Sequence, residues 1–164
     1  MATVEVENHL DKEWEIRQAT LADVGAMVAL EALFPSDRLS AKSLRHLIRK
    51  GHADVLIISF KEQPSQILAD AVLLYRKGSR SARLYSLVVD PQHRGKKLAQ
   101  SLLRHLAMLA LNKGCEQIRL ELREDNQAAL KLYEKQGYHF VERIEGYYQD
   151  DSPALRMLKT LSHP

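Results

Sequence analysis

The sequence predicts an α/β fold of the α+β kind, in which four helices flank a mixed, mostly antiparallel central sheet of about seven strands. Two periodicities predict it: apolar residues alternate with polar ones in some segments and recur at spacings of three and four in others. Gly, Pro and Asn residues between those segments mark the turns. The elements follow in the order β-α-α-β-β-β-α-β-α-β-β, so a strand–helix–strand unit makes the fourth and fifth strands parallel neighbours or near neighbours.

The amino-terminal residues predict a tail and then the first two elements. Residues 1–12 are polar and lack periodicity, so we expect a flexible tail ahead of a single domain that spans 13–164. Alternation across 14–18 predicts the first strand. Thr20 then suits the N-cap of a helix that Pro35 closes.

A second helix is predicted from Ser40, a good N-cap residue, to Gly51, a good C-cap residue. The basic residues on its outer face are typical of solvent exposure. The loop before it, residues 34–40, is either a plain connection or the lining of a substrate entrance, with Phe34 at its start.

Three strands are expected next. The apolar segments 55–60 and 67–75 are separated by polar residues 61–66, which predicts a hairpin. A turn at 77–81 leads into the fourth strand, 82–89. The first half of the chain is therefore antiparallel sheet with helices beside it.

The end of the fourth strand predicts an anion site. Asp90-Pro91 stops the strand, because proline has no N–H for a ladder, and a short turn with Gly95 leads into a leucine-rich helix. The first N–H groups of a helix are unpaired and its dipole is positive there. The turn adds three cations, Arg94, Lys96 and Lys97. This pattern indicates a phosphate or pyrophosphate site, although ordinary solvated charge is an equally good interpretation.

The remaining elements follow from the same rules. Residues 112–114 end the long helix, and alternation over 118–122 predicts the fifth strand. Asn126 and Gly137 bound another helix. Two strands complete the sheet, at 138–144 and 154–161.

Composition bounds the function. The chain has 164 residues, 45% hydrophobic and 27% charged, which is typical of a soluble globular domain. A net charge of +3 does not favour a nucleic-acid partner, and no apolar run is long enough to span a membrane. The single cysteine excludes an intrachain disulfide and favours a cytoplasmic location. The seven histidines lack metal-ligand spacing, so we expect no metal.

The anion-site motif resembles a known family. Val88-Val89-Asp90-Pro91 followed by 94–99 is similar to the acetyl-CoA loop of the GCN5-related N-acetyltransferases (GNAT), whose pattern is Gln/Arg-x-x-Gly-x-Gly/Ala. Arg94 matches the first position and Ala99 the last, whereas Lys97 stands where the family usually has glycine. A helical backbone would tolerate lysine there, but a positive φ would strain it.

A second motif strengthens the resemblance. Residues 120–138 contain Asn126, Ala129, Leu132-Tyr133-Glu134-Lys135 and Gly137-Tyr138, which are similar to the family's second signature. The resemblance covers residues 13–161 and implies the family's splayed fourth and fifth strands. It also implies acetyl-CoA as cofactor and direct transfer of acetyl to a primary amine in a ternary complex.

The resemblance assigns roles to individual residues. It implies cofactor binding by the end of the fourth strand, the loop and one further residue: Leu87, Val88, Val89, Arg94, Gly95, Lys96, Lys97, Leu98, Ala99 and Asn126. It implies Glu121 as general base and Tyr133 as general acid. The alternatives are an exposed Glu121 paired with Arg119 or Arg123, a core tyrosine at 133, and an Asn126 that only caps its helix.

The acceptor side is less defined. Residues 146–157, with Tyr147-Tyr148, resemble the acceptor-side segment of the ribosomal-protein alanine N-acetyltransferases, so Phe34, Tyr147 and Tyr148 are candidate substrate-binding residues. The tyrosine pair is equally well interpreted as two half-buried aromatics. The expected acceptor is a protein N-terminal α-amine, or else a small amine such as a polyamine, amino acid or aminosugar. A non-catalytic acyl-CoA-binding module is a further alternative, and both a monomer and a homodimer remain open.

Overall fold

A computed structural model describes residues 13–34 and 39–162. The expected tail, 1–12, and residues 35–38 of the predicted entrance loop lie outside the described residues. The division into a tail and one domain therefore stays a prediction.

Seven strands form one sheet within the described residues, in the spatial order β1-β2-β3-β4-β5-β7-β6. Their bounds are β1 Trp14–Gln18, β2 Ala53–Phe60, β3 Ile67–Leu74, β4 Ser81–Val89, β5 Gln117–Arg123, β6 His139–Ile144 and β7 Ala154–Thr160. Only β4 and β5 pair in parallel; every other neighbouring pair is antiparallel. The predicted mixed, mostly antiparallel sheet is confirmed.

Four α-helices accompany the sheet in the described part of the chain. They are α1 Val24–Glu31, α2 Ala41–Lys50, α3 Leu98–Asn112 and α4 Gln127–Lys135. A 3-10 turn, Leu21–Asp23, leads into α1. The α2 ends form as predicted: Ser40 Oγ accepts a hydrogen bond from the Ser43 N–H at 3.1 Å, and Gly51 has a φ of 75°.

The helices cover both faces of the sheet. On one face, Leu102 and Leu106 of α3 pack in a cluster with Leu120 of β5. On the other face, Met27 of α1 and Leu44 of α2 share a separate cluster with the β2 and β3 side chains. The middle strands are therefore buried on both sides, which explains why β2 and β3 read as nearly continuous apolar runs.

The β4 and β5 strands separate after a short contact. They pair only where Ser81–Arg83 meets Gln117–Arg119. Beyond that point β4 stays on β3 as far as Val89, and β5 stays on β7 as far as Arg123. The register of β4 shifts at Tyr85, which forms a bulge, and a bulge bends its strand and increases its twist. The splayed pair that the resemblance implied is confirmed.

Candidate active site

Two cavities meet where β4 and β5 diverge. The first cavity, of about 570 Å³, lies between the end of β4, the start of α3 and one side of α4. The second cavity, of about 510 Å³, lies between β4, β5 and the loop after β6. Both are lined by Phe34, Leu87, Val88, Ala129 and Tyr133. Two ligands, one in each cavity, would therefore meet at these shared walls.

The backbone turn before α3 shapes the first cavity. Gly95 has a φ of 83°, which turns the chain tightly, and α3 begins at Leu98. The first hydrogen bond of helical type runs from the Ser101 N–H to the Lys97 carbonyl, at 3.1 Å. The N–H groups of Leu98, Ala99 and Gln100 precede that bond and line the cavity, as an anion-binding helix start requires.

Lys97 adopts a positive φ, which is the strained one of the two backbone conformations considered for it. Its φ of 60° and ψ of 28° are left-handed, at the position where the loop pattern has glycine. A side chain in this conformation costs about 1–2 kcal/mol relative to the right-handed one. The turn geometry is therefore kept despite the lysine, and the surrounding structure maintains the strain.

The charges around the first cavity have one sign. The lining residues include five basic side chains and no carboxylate among the described residues: His93, Arg94, Lys97, Lys131 and Lys135. Sequence reasoning missed Lys131 and Lys135, whose spacing of four on α4 places them on one helix face. Lys96 does not line the cavity; its Nζ lies 3.2 Å from His93 Nδ1.

The end of β4 directs two N–H groups toward the opening. The Asp90 N–H donates to the Leu68 carbonyl on β3 at 2.8 Å. Since successive N–H groups of a strand point to opposite edges, those of Leu87 and Val89 face the side that β5 has left. The N–H of Val88 faces β3, so only two of the three strand residues offer a free donor there.

Tyr133 lies at the junction of the cavities. Its ring is nearly buried and packs edge-on against Tyr138, with ring centroids 5.6 Å apart. Burial, and then the nearby Tyr148, raises the pKa of the Tyr133 phenol above its ordinary value. The phenol therefore holds its proton at neutral pH and can donate it.

Asn126 lies at the second cavity. Its Oδ1 accepts a hydrogen bond from the Ala129 N–H at 3.1 Å, which is the N-cap geometry expected from its residue type. Its side chain lines the second cavity and not the first. The cap role is confirmed, and a contact with the cofactor stays a prediction.

Glu121 faces the second cavity with its oxygens engaged. It accepts hydrogen bonds from Arg83 Nε at 3.0 Å and from Arg156 Nε at 2.8 Å. Arg119 Nε lies 3.2 Å from the same carboxylate, whose side chain is 3% exposed. A proton arriving at this carboxylate would have to displace an ion pair. The expected pairing with Arg119 occurs, but the Glu121 carboxylate is buried and not exposed, while the arginines stay partly exposed.

The tyrosine pair is held by arginines. The rings of Tyr147 and Tyr148 pack edge-to-face, with centroids 4.9 Å apart, and both line the second cavity. Arg83 donates to the Tyr147 hydroxyl at 2.9 Å, and the Arg123 guanidinium lies 4.2 Å from the Tyr148 ring centroid. Arg123 pairs with Asp150 and not with Glu121.

A second acidic residue, Glu31, also lines this cavity. It lies at the end of α1, is 4% exposed, and accepts a hydrogen bond from Ser86 Oγ at 2.9 Å. Sequence reasoning treated it only as part of the helix. A carboxylate on the buried face of an otherwise apolar helix is the feature that could have identified it.

These features agree with a comparison of sequences. The sequence model of the Acetyltransferase (GNAT) family matches residues 29–138. The chain belongs to the GNAT family. The match includes the end of β4, the turn at Gly95, the start of α3 and α4, which line the first cavity.

Curated relatives match over less of the chain. The thialysine N-epsilon-acetyltransferase of Mus musculus is 33% identical over 81 residues, which are 48% of this chain and 48% of that protein. The Bos taurus enzyme of the same name is 32% identical over 69 residues, 42% and 41% of the two chains. The matched part thus spans about half the length of these GNAT relatives.

Solved structures share the fold over nearly the whole chain. The ribosomal-protein-S18-alanine N-acetyltransferase of Escherichia coli superposes with a TM-score of 0.79 at 23% identity, covering 92% of this chain and 96% of that one. Ard1 from Thermoplasma volcanium gives 0.82 at 21% identity over 93% and 100%. A spermidine N-acetyltransferase chimera from Vibrio cholerae and hSSAT gives 0.78 at 16% over 91% and 96%. At these identities the likeness shows the GNAT fold alone.

Among residues 13–34 and 39–162, no helix has both the length and the apolar character needed to cross a membrane.

Proposed function

We propose that this protein is an acetyl-CoA-dependent N-acetyltransferase that transfers acetyl to a primary amine by direct attack in a ternary complex. The observation that carries the proposal is the meeting of two cavities at Tyr133, where β4 and β5 diverge. Two ligands that enter from different sides reach each other there, so no acyl-enzyme is needed.

The first cavity suits acetyl-CoA. Its diphosphate requires N–H donors and positive charge, which the turn at Gly95, the α3 start and the surrounding cations supply. Lys131 and Lys135 are placed to bind a further phosphate. The free edge of β4, with the N–H groups of Leu87 and Val89, suits an extended arm that adds like a strand. When bound, this cofactor supplies an activated acetyl thioester.

The chain's own groups handle protons and charge. The N–H groups of Leu87 and Val89 can donate to an oxygen that gains negative charge at the opening. Tyr133 Oη holds a proton at the junction and can deliver it to a leaving thiolate. Both roles follow from where the groups lie relative to the two cavities.

Glu121 is positioned on the acceptor side, and its role as a general base stays a prediction. Its ion pairs favour a positioning role, because the carboxylate fixes Arg83, and Arg83 in turn holds the Tyr147 hydroxyl. Loss of Glu121 would thus disturb the lining of the second cavity even if another group accepts the proton.

The acceptor proposed first is a protein N-terminal α-amine. The Tyr147–Tyr148 pair and Phe34 line the same cavity, and aromatic rings of this kind suit contact with a peptide backbone. The names of two structural neighbours, from Escherichia coli and Brucella melitensis, refer to a ribosomal-protein alanine as the group that is acetylated.

A small amine is the second candidate. The carboxylates of Glu31 and Glu121 line the second cavity and would attract a cationic ligand. The names of the curated relatives refer to thialysine, and that of one structural neighbour to spermidine. The cytoplasmic location and the oligomeric state stay predictions.

The test is a mass-spectrometric screen with isotope-labelled acetyl-CoA. Peptides with free amino termini, amino acids, polyamines and aminosugars are incubated with the full-length protein, and acetyl-CoA binding is measured separately by calorimetry. We expect labelled acetyl on one acceptor class. If that class is the peptides, a peptide whose amino terminus is blocked should carry no label. Tight acetyl-CoA binding without any labelled acceptor would identify a non-catalytic acyl-CoA-binding module.

A further inference from the structure

A pair of buried carboxyl groups lies at the wall of the second cavity. Glu31, at the end of α1, lines the cavity, and Asp70, in the middle of β3, is close enough for the two carboxyl groups to interact electrostatically. Asp70 is opposite Val88 in the β3–β4 ladder, and Val88 itself lines both cavities. The pair thus lies beside the junction where the two ligands would meet.

Asp70 has no partner that could satisfy a charged carboxylate. It is 0% exposed, and neither of its side-chain oxygens has a hydrogen-bond partner among the described residues. Burial, followed by the charge of the nearby Glu31, raises the pKa of Asp70 well above its ordinary value. Asp70 therefore keeps its proton, and the two groups share one negative charge.

That charge belongs to the member of the pair that faces the cavity. Glu31 accepts a hydrogen bond from Ser86 Oγ at 2.9 Å, and the nearby Asp70, when it keeps its proton, can become a second donor. No cation is paired with Glu31 among the described residues, in contrast to Glu121, whose carboxylate is surrounded by three arginines. Glu31 is therefore the carboxylate in this cavity whose countercharge is missing, and a ligand ammonium group would supply it.

We propose that Glu31 binds the ammonium group of the acceptor and accepts its proton, while Asp70 positions the Glu31 carboxylate. The proposal rests on the function proposed above and assigns the acceptor end of the same site. In the step, one N–H bond of the ammonium breaks and an O–H bond forms on Glu31. The electron pair stays on nitrogen, which becomes a neutral nucleophile. The proton leaves from Glu31 to solvent through the second cavity.

The other ionisable groups of this cavity do not compete for the role. Arg83 and Arg123 are cations and cannot accept a proton. The lining also holds four tyrosines, Tyr85 from β4, Tyr133 from α4, and Tyr147 and Tyr148 from the loop, and a phenol O–H is too weak a base to take a proton from an ammonium group. Glu121 remains, and its engagement with Arg83 and Arg156 makes it the discriminating comparison.

The experiment compares four variants of the full-length protein with an acceptor from the screen. We expect Glu31→Gln to lower kcat/KM about 100-fold, because it removes the proton acceptor and keeps the shape. Asp70→Leu, which cannot donate to Glu31, should lose a similar factor. Asp70→Asn should lose only about threefold, because its amide still donates. Glu62→Gln, in the exposed β2–β3 turn, is the matched control and should be unchanged.

A binding measurement separates this role from a structural one. In protein labelled with ¹³C at its Asp and Glu carboxyl groups, the resonance that disappears in Glu31→Gln should shift on addition of the acceptor. Acetyl-CoA should bind all four variants as it binds the parent. Two results would overturn the proposal for Glu31 and leave the proposed function intact. In one, the acceptor shifts the Glu121 resonance instead; in the other, the parent acetylates the acceptor and Glu31→Gln does so equally well. A parent that acetylates no acceptor would overturn the proposed function, and this proposal with it.

Discussion

The first cavity is formed mainly by backbone and the second mainly by side chains. The first is formed mainly by contiguous backbone: the end of β4, the Gly95 turn and the start of α3, with one side of α4. The second is formed by side chains from α1, β4, β5, α4 and the loop after β6. A ligand that is the same for a whole family can be bound by a conserved backbone shape, whereas side chains from distant elements can change with the acceptor.

Their charges differ in the same way. Around the first cavity every charged lining residue within the described part of the chain is basic, which suits one anionic ligand. The second cavity carries Glu31 and Glu121 together with Arg83 and Arg123, and most of these charges are already paired with each other or with neighbours. Selectivity there depends on which charge is left without a partner.

The largest expected effect concerns Tyr133, one of the five residues that line both cavities. Tyr133→Phe should lower kcat about 100-fold or more, because a general acid contributes roughly that factor, and acetyl-CoA binding should persist. Tyr138→Phe is the control, since that ring is buried against Tyr133 but lines neither cavity. Steady-state kinetics and calorimetry measure the two effects. Equal losses in both variants would mean that packing, not the phenol proton, accounts for the change.

The next effect concerns how the free energy of unfolding depends on pH through Asp70, which lies beside the second cavity. Because the pKa of Asp70 is raised by burial and by Glu31, the folded protein binds a proton there that the unfolded chain releases. The free energy of unfolding should fall as pH rises above the ordinary carboxyl range, by up to about 1.4 kcal/mol per pH unit. Asp70→Asn should lack this fall. Urea unfolding between about pH 5 and pH 8 measures it.

Asp54 is a control for that experiment, because its pKa is shifted in the opposite direction. Burial alone would raise the pKa of Asp54, but hydrogen bonds from Tyr75, Gln18 and Lys113 bring it below its ordinary value. The stability that its charge contributes is present above the ordinary pKa and lost as pH falls through the lowered one. Asp54→Asn should therefore destabilise by a constant amount over the same pH range. Parallel curves for Asp70→Asn and the parent would contradict a protonated Asp70.

A smaller effect should be confined to the first cavity. The double variant Lys131→Gln/Lys135→Gln should weaken acetyl-CoA binding about fivefold, since partly exposed charges contribute little each and are screened by salt. The difference should shrink as salt is added, and the acceptor KM should stay constant. Lys61→Gln/Lys77→Gln, in two exposed turns away from both cavities, changes the net charge equally and is the control. A matching loss there would show that net charge alone is responsible.

The smallest effect concerns the strained lysine. Lys97→Gly should raise the free energy of unfolding by about 0.5–1 kcal/mol, because relief of the left-handed strain exceeds the added flexibility of the unfolded chain. Lys97→Ala removes the same charge but keeps a Cβ, so it should not share the gain. Thermal or urea unfolding of the parent and the two variants measures the difference. A higher free energy of unfolding in both variants would mean that loss of the charge, and not relief of strain, is the cause.

Sequence reasoning succeeded where the determinants are local. Periodicity gave the strands and helices, and Ser40, Gly51 and Asn126 were recognised as caps from residue type alone. It could not decide between a helical and a left-handed backbone at Lys97, because the residue type lysine does not determine φ. It placed the N–H of Val88 with those of its neighbours, although strand alternation turns it toward β3.

The sequence by itself determined the order of elements, the glycine-containing turn before α3 and the family, because each depends on residues close together in the chain. Only the tertiary structure decided that Tyr133 lies between two cavities, that Glu121 is surrounded by Arg83, Arg119 and Arg156, and that Glu31 lies against Asp70. Those contacts join elements far apart in sequence. Burial sets the charge state of such groups, and burial is a property of the packed molecule and not of any one segment.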